Sequence, residues 1–151
     1  MTTPTLVDLT DPGAFSGALE LNFFVPGNPA PQGSKRHVGR GILVESSKAV
    51  GPWRERVALA AHNAMAGGRL IDGAVGVVLG FVLPRPKSAP KTRTPLAVKR
   101  PDVDKLERAV LDAITGVVIV DDSLVVDLRG SKRIAEIGET AGVQVRVRQV
   151  S

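Results

Sequence analysis

Four aspartates bracket one helix-like run in "RPDVDKLERAVLDAITGVVIVDDS", residues 100–123. Asp102 and Asp104 precede the run, and Asp121 and Asp122 follow it. Pro101 disfavours the helical region for Arg100, so the chain is expected to reach Asp102 extended. Residues two apart on an extended chain share a side. Asp102 and Asp104 would then point together, their Cα atoms roughly 6 to 7 Å apart on the strand rise, with Val103 turned to the core. Two carboxylates so placed can converge on a hard cation, Mg²⁺ or Mn²⁺, while the lack of Cys and the presence of only 2 His argue against zinc. Plainer roles compete. "DKLE" fits a capping box with Asp104 as N-cap and Glu107 at N3, "DDS" fits a turn before Leu124, and Asp102 alone would be a surface aspartate. A fold that lays the following strand beside Asp104 would gather three or four carboxylates, which repel one another unless a cation neutralises them.

The chain around them is basic. Twenty Lys plus Arg against 15 Asp plus Glu give a formal charge of +5 and a pI near 10.1, which favours a polyanionic partner, nucleic acid first. "RPKSAPKTRTPLAVKRP", residues 85–101, carries six basic residues, no acidic one and prolines at 86, 90, 95 and 101, so an extended, mobile loop is expected directly before the carboxylates. Its Lys87, Lys91, Arg93, Lys99 and Arg100, with Lys105 beyond, are candidate phosphate contacts. Lys35, Arg36 and Arg40 lie in a second Pro/Gly-dense loop, "PGNPAPQGSKRHVGRG". That segment is no phosphate-binding P-loop, because its Ser-Lys order is wrong and its prolines remove amide donors. His37 and His62 show no ligand spacing, and Asp112, four after Arg108, suits a helix ion pair.

The elements that must position these residues follow from periodicity. "LELNFFV" alternates Leu19, Leu21, Phe23 and Val25 against Glu20 and Asn22, the pattern of a first strand, and "ILVES" is a short strand candidate. "PWRERVALAAHNAMAGG" spaces Trp53, Val57, Ala60, Ala61 and Ala64 as a helix, with Trp53 as a core anchor. "AVGVVLGFVLP" reads as a buried strand. Leu106, Val110, Ala113, Ile114 and Val117 mark a second helix, with Gly116 near its end. "LVVDLRGSKR" is expected to bury Leu124, Val126 and Leu128, and "GVQVRVRQV" to bury Val143, Val145 and Val147. This order predicts an α/β or α+β architecture, a mixed β-sheet with two helices packed on it.

At 151 residues the chain fits one domain, with residues 1–18 a loose lead-in and 19–151 the folded unit. The absence of cysteine excludes disulfides and thiolate chemistry. No long apolar run and no signal-peptide pattern is visible, so a cytoplasmic protein without a membrane partner is expected.

"RPDVDKLERAVLDAITGVVIVDDSLVVDL" resembles the signature of the RusA family of Holliday junction resolvases: a basic residue and Pro, Asp-x-Asp, a helix, a Gly-containing turn, and Asp-Asp-Ser opening a strand. "VPGNPAPQGSKR" is similar to the family's first strand and basic loop. The resemblance, over about Leu19 to Val150, implies a homodimeric, Mg²⁺-dependent endonuclease, cellular or phage-encoded, that nicks four-way DNA junctions symmetrically and takes no small-molecule substrate. It further implies Asp102, Asp104 and Asp122 as the metal-binding catalytic set, with Asp121 auxiliary. Arg108 stands where the family often has lysine; it keeps the charge but cannot shuttle a proton, so an electrostatic role is expected. Lys105 replaces a common Asn and Leu124 a common Gln. The alternative expectation is a basic nucleic-acid-binding module with the same fold and no turnover.

Overall fold

The structure, a computed structural model, describes residues 19–33, 35–37, 43–45 and 48–150, with side chains at 19–33 and 48–150. The lead-in 1–18 and Arg40 lie outside the described residues. The chain runs β1 (Glu20–Pro26), β2 (Lys35–His37), β3 (Leu43–Glu45), α1 (Val50–Met65), β4 (Val75–Leu83), α2 (Val103–Ile114), a 3₁₀ turn (Asp122–Leu124), β5 (Val125–Ile134) and β6 (Gly142–Gln149). Four strands form one mixed sheet in the order β1-β6-β4-β5, and β2 pairs with β3 as a separate antiparallel ribbon. Among the described strands only β4 and β5 pair in parallel, from Val75 opposite Val125 to Leu83 opposite Ile134. Parallel neighbours need a crossover, and α2 supplies it.

β4 is flanked on both edges and buried along most of its length, as its Val-rich sequence predicts. Both helices pack together on one face, α1 over β1 and α2 over β5. The core between them joins Val57, Ala61, Leu106, Val110 and Ile114 to Val77, Leu79, Phe81, Val145 and Val147. Trp53 is 4% exposed and anchors α1 in that core. Among the described residues no helix is long and apolar enough to cross a membrane.

Two elements depart from the sequence reading. The Pro/Gly-dense segment after β1 contains strand β2, so Lys35 and Arg36 stand on a ribbon and not in an open loop. β5 buries less than expected: Val126 is 63% and Leu128 38% exposed, while Val125 packs on the core and Leu124 lies in the 3₁₀ turn. A register shift where β5 begins, between Val75 and Gly76 of its partner, breaks the simple alternation, and β5 is an edge strand. Its charged residues Asp127, Arg129, Lys132 and Arg133 discourage further strand pairing.

The β5–β6 connection is closed by a carboxylate fork. Arg133 donates to both oxygens of Glu139 at 2.7 and 2.5 Å, and the Glu136 amide donates to the same carboxylate at 2.9 Å. Arg133 first, then the Glu136 amide, hold Glu139 at about 2, below its ordinary 4.5. A depressed folded pKa gives stability that is present above the ordinary value and lost as pH falls through about 2. Glu139→Gln should therefore melt below wild type at neutral pH, the two curves converging in strong acid. Parallel melting curves from pH 7 to pH 2 would show that the fork adds nothing to the turn.

Candidate active site and nucleic-acid interface

Helix α2 starts at Val103, two residues earlier than either an extended Asp-x-Asp or a capping box at Asp104 would require. Asp102 takes the N-cap position with φ −73° and ψ 141°, and its carbonyl accepts the first helical bond, from Leu106 N, at 3.1 Å. Asp104 is thus the second helical residue, not the N-cap, and the extended-chain spacing does not apply beyond Asp102. Val103 is only half buried. Asp102 makes no side-chain cap bond; its carboxylate stands 3.9 Å from the Lys105 ammonium instead. The carboxylate of Asp104 sits in the first turn, where the helix dipole favours negative charge.

The buried stripe of α2, Leu106, Ala109, Val110, Ala113 and Ile114, leaves Asp104, Arg108 and Asp112 exposed on the opposite side at successive turns. Arg108 therefore follows Asp104 by one turn on the same face. Asp112 does not serve the expected helix pair; it lies 4.0 Å from Arg54 of α1.

The sequence offers Glu107 only a capping role. It instead faces β5, where a Cβ on Gly130 would lie 1.7 Å from Glu107 Oε2, so the glycine makes room for the carboxyl. Burial first, and the neighbouring Asp104 charge second, raise the Glu107 pKa. The start of α2 thus carries three carboxyl side chains, Asp102, Asp104 and Glu107.

The approach to this cluster is fastened by residues far away in sequence. Lys132 of β5 donates to the carbonyls of Lys99 at 2.7 Å and Pro101 at 2.8 Å, fixing the chain immediately before Asp102. The Gln32 amide donates to the Lys105 carbonyl at 2.9 Å, tying the segment after β1 to the same helical turn. Between them lies a groove of about 510 Å³ lined by Asn28, Gln32, Arg100, Asp102 and Lys105. Its lining thus carries one carboxylate, Asp102, and two cations, Arg100 and Lys105.

The second acidic pair lies elsewhere. Asp121 caps the 3₁₀ turn, its carboxylate accepting from Ser123 N at 3.0 Å, and the Ser123 hydroxyl and amide hold its pKa below the ordinary range. Asp122 is exposed in that turn. Gly116, at φ 84°, turns the chain back after α2, and β5 then runs alongside the helix in the opposite direction. Seven residues of strand separate Val125 from Lys132, on the order of 20 Å at the strand rise. The following strand does lie beside α2, but it brings its far end, Gly130 against Glu107 and Lys132 against Pro101, and not Asp122, to the start of the helix. Among the described residues no three His, Asp or Glu are grouped closely enough to hold a metal ion.

Of the candidate DNA contacts, Lys87, Lys91, Arg93, Lys99 and Arg100 are exposed and Lys105 is half-buried at the groove. Lys35 and Arg36 sit on β2, and their side chains are outside the described residues. Arg85, counted with the loop cations, turns inward. It donates to Thr94 Oγ1 and the Arg93 carbonyl, both at 2.7 Å, to the Ala135 carbonyl at 3.1 Å and to the Pro90 carbonyl. The loop has no regular structure, as expected, yet it is stapled at Arg85 and Lys132. The Lys132 staple has no local sequence signal, since it bridges segments distant along the chain, and Arg85 adds to its bonds within the loop one to the distant Ala135 carbonyl.

The donor chemistry at the start of α2 fits a hard divalent cation: every acidic donor is a carboxylate, and the Asp102 side chain is 55% exposed. Mg²⁺ commonly uses one or two protein carboxylates, with waters and substrate phosphate oxygens filling the remaining positions.

No curated protein matches the chain. Among protein families, residues 26–148 match the family described as Endodeoxyribonuclease RusA, a span that contains the Asp-x-Asp segment, α2, the Asp-Asp-Ser turn and both basic segments. With a mixed sheet, two helices and an acidic cluster set beside a cationic groove, the chain belongs to the RusA family of endodeoxyribonucleases, the Holliday junction resolvases.

Proposed function

We propose that this chain is a Mg²⁺-dependent endonuclease that resolves four-way DNA junctions by paired nicks, and that it works as a homodimer, Mn²⁺ being an acceptable substitute. The observation that carries the reading is the start of α2. An aspartate at an N-cap position normally uses its side chain to cap, and Asp102 does not. Its carboxylate remains available at a groove whose other lining includes Arg100 and Lys105, and Asp104 is exposed in the first turn of the helix that Asp102 opens.

In this reading Asp102 and Asp104 hold the cation. When bound there, it supplies Lewis acidity at the scissile phosphate and a more acidic water. Arg108 offsets phosphate charge one turn further along the helix, its guanidinium acting electrostatically and not as a proton shuttle. Lys105 orients Asp102 and, with Arg100, draws the backbone into the groove. Lys87, Lys91, Arg93, Lys99, Lys35 and Arg36 hold the flanking backbone. The products are a 5′ phosphate and a 3′ hydroxyl, water attacking phosphorus as the 3′ oxygen leaves.

Asp122, with Asp121 beside it, completes the site from a second copy. Within one chain the two acidic pairs lie at opposite ends of α2, which rises about 18 Å over its 12 residues. A two-fold axis beside α2 would bring the 3₁₀ turn of one protomer to the helix start of the other, and would do so twice. Such a dimer has two sites for the two cuts a junction needs.

The electrostatic half of this reading is testable by salt. Replacing Lys87, Lys91 and Arg93 with Ala should weaken junction binding and make the slope of log K against log salt shallower by ~2–3, because fewer counterions are released. An unchanged slope would remove the loop from the DNA surface.

A further inference from the structure

Between the two staples of the basic loop lies a short knuckle, residues 95–98. Arg85 fastens its near side at Thr94 and Lys132 its far side at Lys99. Ala97 packs on the core, and Val98 N donates to the Leu96 carbonyl at 3.0 Å, a tight turn that directs the neighbouring side chains outward. Leu96 is 83% and Val98 80% exposed. They are the two most exposed large apolar residues among those described. They border an apolar groove of about 550 Å³ that also includes Pro86, Pro90 and Pro95.

Isolated exposed apolar residues need no explanation, but two on a stapled turn, continuous with an apolar groove, form an organised surface. Its surroundings select the occupant. Lys91 and Arg93 precede the knuckle and Lys99 and Arg100 follow it, all exposed. A second copy of the same knuckle across a two-fold axis would set these cations against their own kind. A polyanion with apolar faces meets both requirements, phosphates on the cations and bases on Leu96 and Val98. Leu96 is six residues from Asp102, at most about 20 Å along the chain, which puts the contact within a few nucleotides of the acidic cluster.

We propose that Leu96 and Val98 form an apolar wedge that seats against unstacked nucleobases at the branch point, so that the knuckle, and not the cations, discriminates a junction from linear duplex. Apolar side chains inserted between base steps hold DNA open in this way. The substrate rests on the junction-nuclease reading above, whereas the base contact can be measured without cleavage.

The test uses the full chain and a four-way junction carrying 2-aminopurine at the branch, with Ca²⁺ in place of Mg²⁺. Wild type should raise the probe's fluorescence as the base leaves its stack. Leu96→Ser with Val98→Ser should lose most of that rise and bind the junction ~10-fold more weakly, the effect of losing one stacked base, while its affinity for a linear duplex changes less than about 2-fold. Leu96→Met with Val98→Ile should behave as wild type. A full fluorescence rise and an undiminished junction preference in the serine variant would overturn the proposal. So would its dissociation to monomers in equilibrium sedimentation, which would assign the knuckle to a second copy. Wild type that opens the branch but never cuts in Mg²⁺ would sink the nuclease reading and uphold the wedge; wild type that cuts without opening the branch would do the reverse.

Discussion

Asp104→Asn is expected to reduce junction cleavage by at least ~100-fold while leaving the fold and junction binding in place, a loss comparable to removing one strong electrostatic group from a reaction centre. The position makes the separation clean. Asp104 is the second residue of α2 and makes no cap, so its removal forfeits only a helix-dipole interaction of ~0.3–1 kcal/mol. Part of that loss is offset, because the carboxylate also repels Glu107. The substitution removes a negative metal ligand and keeps the side-chain shape. Three curves check it: thermal melting, junction binding in Ca²⁺ and single-turnover cleavage in Mg²⁺. Junction binding should persist or tighten, since a negative charge near phosphate is gone. A variant that melts early but cuts at the wild-type rate would mean that the carboxylate serves the fold.

Mixing two inactive variants should restore activity. Asp104→Asn and Asp122→Asn are each expected to be at least ~100-fold down as homodimers. If each site takes Asp102 and Asp104 from one protomer and Asp122 from the other, a heterodimer of the two variants contains one doubly defective site and one with every carboxylate intact. Co-expression with two different affinity tags and purification through both yields that species. Its expected product is a junction nicked at one of the two sites, at a rate within a few-fold of a wild-type site. If all three aspartates acted within one chain, both sites of the heterodimer would be defective and nicking would stay at background. That outcome would require Asp122 to reach Asp104 by a rearrangement of its own chain.

Local chemistry was legible before the fold, and distance was not. The alternation of Leu21, Phe23 and Val25, the helical spacing of Trp53, Val57 and Ala61, and the valine run of β4 each report one buried face or core. Those patterns need no knowledge of partners, and the mixed sheet with two helices follows from their order. The bounds of α2 were set by a competition that periodicity does not register. Asp102 and Asp104 are both good N-cap residues, and the extended backbone at Asp102 with its carbonyl accepting from Leu106 decides for the first. β5 misled because its alternation of apolar residues looks like a half-buried strand, whereas an irregular start and an edge position leave Val126 and Leu128 exposed. The grouping of the four aspartates required the direction of β5 relative to α2, a property of the crossover that no local stretch encodes. Lys132 and Arg85 escaped for the same reason: among charged residues in a basic chain, nothing local distinguishes a cation that binds carbonyls of its own protein from one that faces DNA.

Metal-dependent cutting of a branched substrate is tested by incubating wild-type protein with a synthetic four-way junction and with the matched linear duplex, in Mg²⁺ and in EDTA. Paired nicks at symmetric positions are expected in the junction with Mg²⁺, none in EDTA, and an uncut duplex in both. Tight junction binding without cleavage in Mg²⁺ or Mn²⁺, or cleavage that survives chelation, would contradict a metal-dependent junction nuclease.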